Sequence, residues 1–225
     1  MRMSRRMGVL AAALAAAGVC SSVPNPGTEL LRKIKEPDVV FVPTPQEVVD
    51  LMLHLARVGP KDVVADLGCG DGRVLVTAAK RYGCRAVGYD IDPDRVRESR
   101  ENIRKNGVGG LARVEQKDIF TLDLSGFDVV FLYLLPRLNV KLIPQLEKLK
   151  PGSRIVSHDF DMKGVRPDAV VSMRCREDDT SHKIYLWTVP LIRTTAEERA
   201  DGEEDMPEEW EDYGDEGMEE TSPRS

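Results

Sequence analysis

The eight residues Asp66-Leu67-Gly68-Cys69-Gly70-Asp71-Gly72-Arg73 have the types and spacing best suited to chemistry. Glycine at every second position lets the main chain approach a ligand closely. A helix opening just afterwards would offer N–H groups that have no partner of their own. Such a turn holds a small polar ligand. A dinucleotide fingerprint needs G-x-G-x-x-G. Here the spacing is Gly68-x-Gly70-x-Gly72, and Arg73 stands where the last glycine is expected. No G-x-x-x-x-G-K-[ST] phosphate loop is present either. Asp90 follows Gly70 by 20 residues, close to the roughly 20 that separate a glycine turn from a ribose-binding acid.

The surrounding pattern supplies the elements such a turn needs. Asp62-Val63-Val64-Ala65-Asp66-Leu67 reads as a buried strand, 72–82 as a helix and 85–90 as a second strand. Asp92-Pro93 starts another helix, reaching about Asn106. Shorter strands are expected at 112–115, 127–132 and 154–158, with a helix over 138–148. Upstream, Thr44-Pro45-Gln46-Glu47 predicts a helix start, with Thr44 as cap and Glu47 completing a capping box. The segments 170–176 and 183–189 flank Asp178-Asp179-Thr180 and read as a closing hairpin. The expected fold is therefore α/β: a Rossmann-like, doubly wound, mostly parallel seven-stranded sheet ending in a C-terminal antiparallel hairpin.

Residues 61–135 resemble the class I, seven-stranded S-adenosylmethionine-dependent methyltransferases, whose first motif is an acid followed by a G-x-G-x-G turn. The resemblance implies S-adenosyl-L-methionine as cofactor. Gly68, Cys69, Gly70 and Gly72 would then floor its methionine part, and Asp66 would hold its amino group. Asp90 would accept the ribose hydroxyls and Ile91 would pack on the adenine. Asp118 would receive the adenine amino group, with Ile119 beside it. The methyl acceptor is expected at Tyr133-Leu134-Leu135-Pro136, where Tyr133 serves both the cofactor and acceptor sides and Pro136 the acceptor side. Thr44 and Gln46 either line that site or only cap a helix, and His158 is either a base or a hydrogen-bonded structural residue. No catalytic residue is assigned. The N/D-P-P-Y/F motif of enzymes acting on nucleobase amines is absent, which argues against a nucleic-acid acceptor.

A narrower resemblance covers 37–190 and rests on Phe41-Val42-Pro43-Thr44-Pro45 together with the glycine turn. It points to small bacterial methyltransferases and to mitochondrial protein-lysine methyltransferases. A protein lysine or other amine is the acceptor it implies. The alternatives are a small-molecule or lipid-like acceptor, or a catalytically silent S-adenosylmethionine-binding interaction protein.

Charge and composition divide the chain into 1–27, 28–193 and 194–225. Arg2, Arg5 and Arg6 precede an apolar run from Gly8 to Cys20, the order found in secretory signals, membrane-associating segments and some mitochondrial presequences. Without such a role for this segment, a cytoplasmic location is expected. The C-terminal segment has 14 acidic and 2 basic residues and reads as a solvated tail, with Trp210 and Tyr213 as contacts for a basic partner. Between the ends, 36–193 is nearly neutral, so nothing draws it in bulk to nucleic acid or an anionic membrane. The four cysteines form no C-x-x-C pair and have no histidine nearby in the chain. A disulfide framework and a metal site are not expected from them. Oligomeric state is left open.

Overall fold

The Val-, Ala- and Leu-rich runs form the centre of a seven-stranded sheet in the computed structural model, which describes residues 41–195. The segment expected over 1–27, and the tail beyond 195 with Trp210 and Tyr213, lie outside the described residues. Five strands run parallel: β1 (Val63–Leu67), β2 (Arg85–Asp90), β3 (Ala112–Gln116), β4 (Val129–Leu132) and β5 (Arg154–His158). β6 (Ala169–Arg174) and β7 (Ser181–Thr188) form the expected antiparallel hairpin, and β7 docks antiparallel on β5. The order β3-β2-β1-β4-β5-β7-β6 reverses direction between β1 and β4. In an open α/β sheet, ligands bind beyond the carboxyl ends of strands at such a switch point.

Both faces are covered, as continuous apolar strands require. On one face α1 (Gln46–Leu55), α2 (Arg73–Thr77) and α3 (Pro93–Lys105) pack through Val48, Met52, Leu75 and Ile103 onto Val64, Phe131 and Val156. On the other, α4 (Pro136–Leu146) lays Leu138, Leu142 and Leu146 against a layer containing Leu67, Leu132, Ile155 and Trp187. The helix expected over 72–82 is α-helical only to Thr77 and continues as a wider π turn, Ala78–Tyr82. α4 starts two residues earlier than expected, with Pro136 in its first turn, where a missing N–H costs nothing.

One local expectation is overturned. Thr44 does not cap α1, and Glu47 closes no capping box: the cap position is Pro45, which makes no side-chain bond. The cap comes from the hairpin turn instead, where Glu177 accepts the N–H groups of Gln46 (3.0 Å) and Glu47 (2.7 Å). Glu47 reaches back to accept the Arg176 amide and guanidinium, which holds its carboxyl below the usual range. A carboxylate at a helix N-terminus also favours the helix dipole. This frees the Thr44 hydroxyl to turn toward His158.

Gly88, in the middle of β2, is needed for space. A methyl group there would lie 2.6 Å from Cys69 Sγ and 2.5 Å from Leu75 Cδ1. Gly88→Ala should therefore destabilise the fold by about 1–3 kcal/mol through overpacking, read as a lowered urea midpoint with unchanged m. An unshifted midpoint would contradict the close packing of β2 under the glycine turn.

Candidate active site

The glycine turn leaves β1 at its carboxyl end and is tied to β2 along its length. Gly68 and Cys69 donate to the Tyr89 carbonyl at 2.8 and 3.1 Å. Gly70 donates to Asp90 Oδ2 at 2.9 Å, and Asp92 N donates to the other carboxylate oxygen at 3.0 Å. Asp90 thus organises the turn from below. Gly72 closes it at the N-terminus of α2 with φ 77°, and a Cβ there would fall 2.2 Å from Ser99 Oγ on α3, so no other residue fits. Arg73 has a bracing role in the place where a dinucleotide fingerprint would put glycine. Its guanidinium pairs with Asp71 (2.7 Å) and donates to the Thr44 carbonyl (2.6 Å), locking the turn to the start of α1.

Asp66 is the electrostatic anomaly of the site. It is 6% exposed, and no hydrogen bond reaches its carboxyl among the described residues. Burial, then the nearby Asp90 and Asp71 carboxylates, push its pKa up to about 8. A buried acid without a donor suits a cationic ligand group, and S-adenosylmethionine carries an ammonium and a sulfonium. Asp66, the turn amides and Asp90 therefore fit that cofactor. Cys69 adds no nucleophile, because burial, then the Asp66 and Asp90 carboxylates, raise its thiol well above the usual range.

The other expected cofactor residues lie at the carboxyl ends of β2 and β3. The Lys117 amide donates to the Asp90 carbonyl, and Gln116 Nε2 donates to the Ile91 carbonyl at 3.1 Å, which ties these two ends together. Asp118 accepts the Phe120 amide at 3.0 Å and caps a short 3₁₀ turn, Ile119–Thr121, in which Ile119 is partly buried.

Where the acceptor side is expected, three residues meet. Tyr133, one residue beyond β4, lays its ring on His158 with centroids 3.9 Å apart, and the Thr44 hydroxyl lies 3.2 Å from His158 Nδ1. Burial, then Asp159 and Asp178, push the Tyr133 phenol up to about 12. It stays protonated at neutral pH and is a donor or a wall, not a base. The Gln46 amide donates to Asp50 (2.8 Å) and Thr77 (3.2 Å). Pro136 starts α4 three residues beyond Tyr133.

Two site residues escaped sequence reasoning. Phe41 lies directly over Gly70, under the Arg95 guanidinium at 5.0 Å. Its place at the head of the Phe41–Pro45 run was the available signal. His182 approaches His158 from β7 at 2.9 Å, and nothing local in the sequence marks it. A cavity of about 770 Å³ lies at the opposite ends of the strands, among His54, Asp62, Arg154 and Thr188. Its Arg154 and Asp62 are paired at 2.7 Å, and no residue of the glycine turn lines it.

The chain resembles characterised proteins over this same region. Residues 66–169 match the ANTKMT methyltransferase domain. A protein-lysine N-methyltransferase of Saccharolobus islandicus is 44% identical over 155 residues, covering 68% of this chain and 95% of that protein. The adenine nucleotide translocase lysine N-methyltransferase of Mus musculus is 32% identical over 174 residues, covering 74% of this chain and 75% of that protein. Among solved structures, one described as an RNA methyltransferase from Salinibacter ruber in complex with S-adenosyl-L-homocysteine is 44% identical. It superposes with a TM-score of 0.62 over 74% of this chain and 97% of its own.

Proposed function

Since the chain belongs to the class I S-adenosylmethionine-dependent methyltransferases, we propose that its methyl acceptor is the side-chain amine of a protein lysine. The observation that carries this reading is the 44% identity to a protein-lysine N-methyltransferase across 95% of that relative's length. When bound, the cofactor supplies an electrophilic methyl group on a sulfonium sulfur. Asp66 would hold the cationic end of the cofactor, and Asp90 and the glycine turn would fix its orientation. Methyl transfer requires an amine aligned behind the methyl group in a dry pocket. Tyr133, Thr44 and the fully buried His158 supply a wall of that kind at the end of β4.

An RNA acceptor is the second reading, favoured by the description of the Salinibacter ruber relative. Methyl-labelled cofactor, incubated with the full chain and separated protein, RNA and metabolite fractions of a lysate, decides between them. Label in protein, recovered as methyl-lysine after hydrolysis, is expected. Label confined to RNA or to small molecules overturns the proposal.

The basic and apolar segment 1–27 supports a further role in export, mitochondrial import or membrane association. Fused ahead of a reporter, it should move that reporter out of the soluble cytosolic fraction.

A further inference from the structure

Beneath Tyr133, three side chains outside the cofactor cleft converge on one point. His158 Nε2 and His182 Nδ1 are 2.9 Å apart, and Asp159 Oδ2 lies 2.9 Å from the second and 3.2 Å from the first. Each of the three atoms can present a lone pair. One proton joins two of them and leaves the third facing a lone pair; two protons crowd each other across the short N···N edge. A single cation satisfies all three at once. Bonds of about 2.0–2.2 Å to nitrogen and carboxylate oxygen would place an ion just outside the plane of this triangle. The observed spacing is close to one face of an octahedral site and somewhat tighter than a tetrahedral one.

We propose that His158, Asp159 and His182 bind a divalent transition-metal ion of the zinc class. Two imidazoles and one carboxylate favour such an ion over Mg²⁺ or Ca²⁺, which prefer all-oxygen sites. The surroundings match what such ligands need. Metal-bound imidazoles characteristically hydrogen-bond through their other nitrogen, which fixes tautomer and ring orientation. His182 Nε2 lies 2.9 Å from both Asp178 Oδ2 and Thr180 Oγ1, and His158 Nδ1 lies 3.2 Å from Thr44 Oγ1. Asp159 is held with φ 57°, unusual for a residue other than glycine, and its second oxygen accepts the Lys183 amide at 2.8 Å. That bond aims the first oxygen at the two rings. The imidazoles are almost fully buried, which excludes competing water.

Cysteine spacing predicted no metal site, and this one uses no cysteine. Its two histidines stand 24 residues apart and meet because β5 pairs with β7. The ion would clamp the end of β5 to β7 directly under the Tyr133 ring, stiffening the acceptor wall. Such a clamp serves the enzyme whichever acceptor it methylates.

The test uses the full chain without an affinity tag, stripped with a chelator and titrated with ZnCl₂ or MgCl₂. One equivalent of Zn²⁺ should bind at micromolar or lower concentration and raise Tm by several degrees, with no response to Mg²⁺. Asp159→Asn should weaken Zn²⁺ binding at least about 100-fold, and Asp178→Asn about 10–100-fold through the outer hydrogen bond. Should either variant fail to fold, the wild-type titration decides alone. Absence of Zn²⁺ binding by the folded, stripped protein overturns the proposal. So does binding that Asp159→Asn leaves unchanged, and the triangle is then a hydrogen-bonded cluster.

Discussion

Asp66→Asn should abolish cofactor binding at working concentrations while making the ligand-free protein more stable at alkaline pH. Removing one partner of a buried charge pair costs about 2–5 kcal/mol, so titration with S-adenosylmethionine should show affinity at least about 30-fold weaker. The stability effect follows from the raised pKa of about 8. An unfolded aspartate loses its proton near pH 4, whereas the folded protein keeps the Asp66 proton up to about pH 8. Within that window the native state binds more protons than the unfolded state, so stability falls as pH rises. Above it, the full cost of a buried carboxylate is present. Asparagine has no such cost. Thermal unfolding should therefore show little difference between variant and wild type near pH 4 and a clearly higher Tm for the variant at pH 8. Equal melting at both values would mean that Asp66 is ionised and paired in the folded protein. Unchanged cofactor affinity would remove it from the site.

Asp90→Ala should weaken S-adenosylmethionine binding by about 2–3 kcal/mol, or roughly 30- to 150-fold, the range for hydrogen bonds to a charged group. Both carboxylate oxygens already hold main-chain amides, those of Gly70 and Asp92. The substitution therefore also unties the glycine turn from β2, and Tm should drop together with affinity. Asp90→Asn keeps one acceptor oxygen and should fall between alanine and wild type in both measurements. Calorimetric titration on a variant shown to be folded separates the two effects. Wild-type affinity in that sample would show that Asp90 serves the turn and not the cofactor.

Much of the site was legible in the chain because it depends on neighbours in sequence. Gly68, Gly70 and Gly72 must enter a turn whatever packs around them, and the apolar run before them must become a buried strand. The seven strands and the closing hairpin follow from alternation of short apolar runs with helical periodicity. The Gly70–Asp90 interval is set by the length of one helix and one strand, so the acid arrives beneath the turn by local geometry alone.

Other features were decided only in three dimensions. The α1 cap was misread because Thr44, a good local cap, has a stronger use against His158, while Glu177 supplies the cap from 131 residues away. The Gln46 amide is engaged by Asp50 on its own helix and by Thr77 on α2, contacts that no local pattern announces. The raised pKa of Asp66 comes from burial beside two other acids, which no spacing rule encodes. The meeting of His158, Asp159 and His182 depends on the antiparallel docking of β7 on β5. Turn conformation and periodicity are properties of adjacent residues, so the sequence alone determines the glycine turn and the sheet that carries it. Desolvation, capping across the fold and the convergence of distant side chains require the packed chain, and these set the charge state of Asp66 and the surroundings of Tyr133.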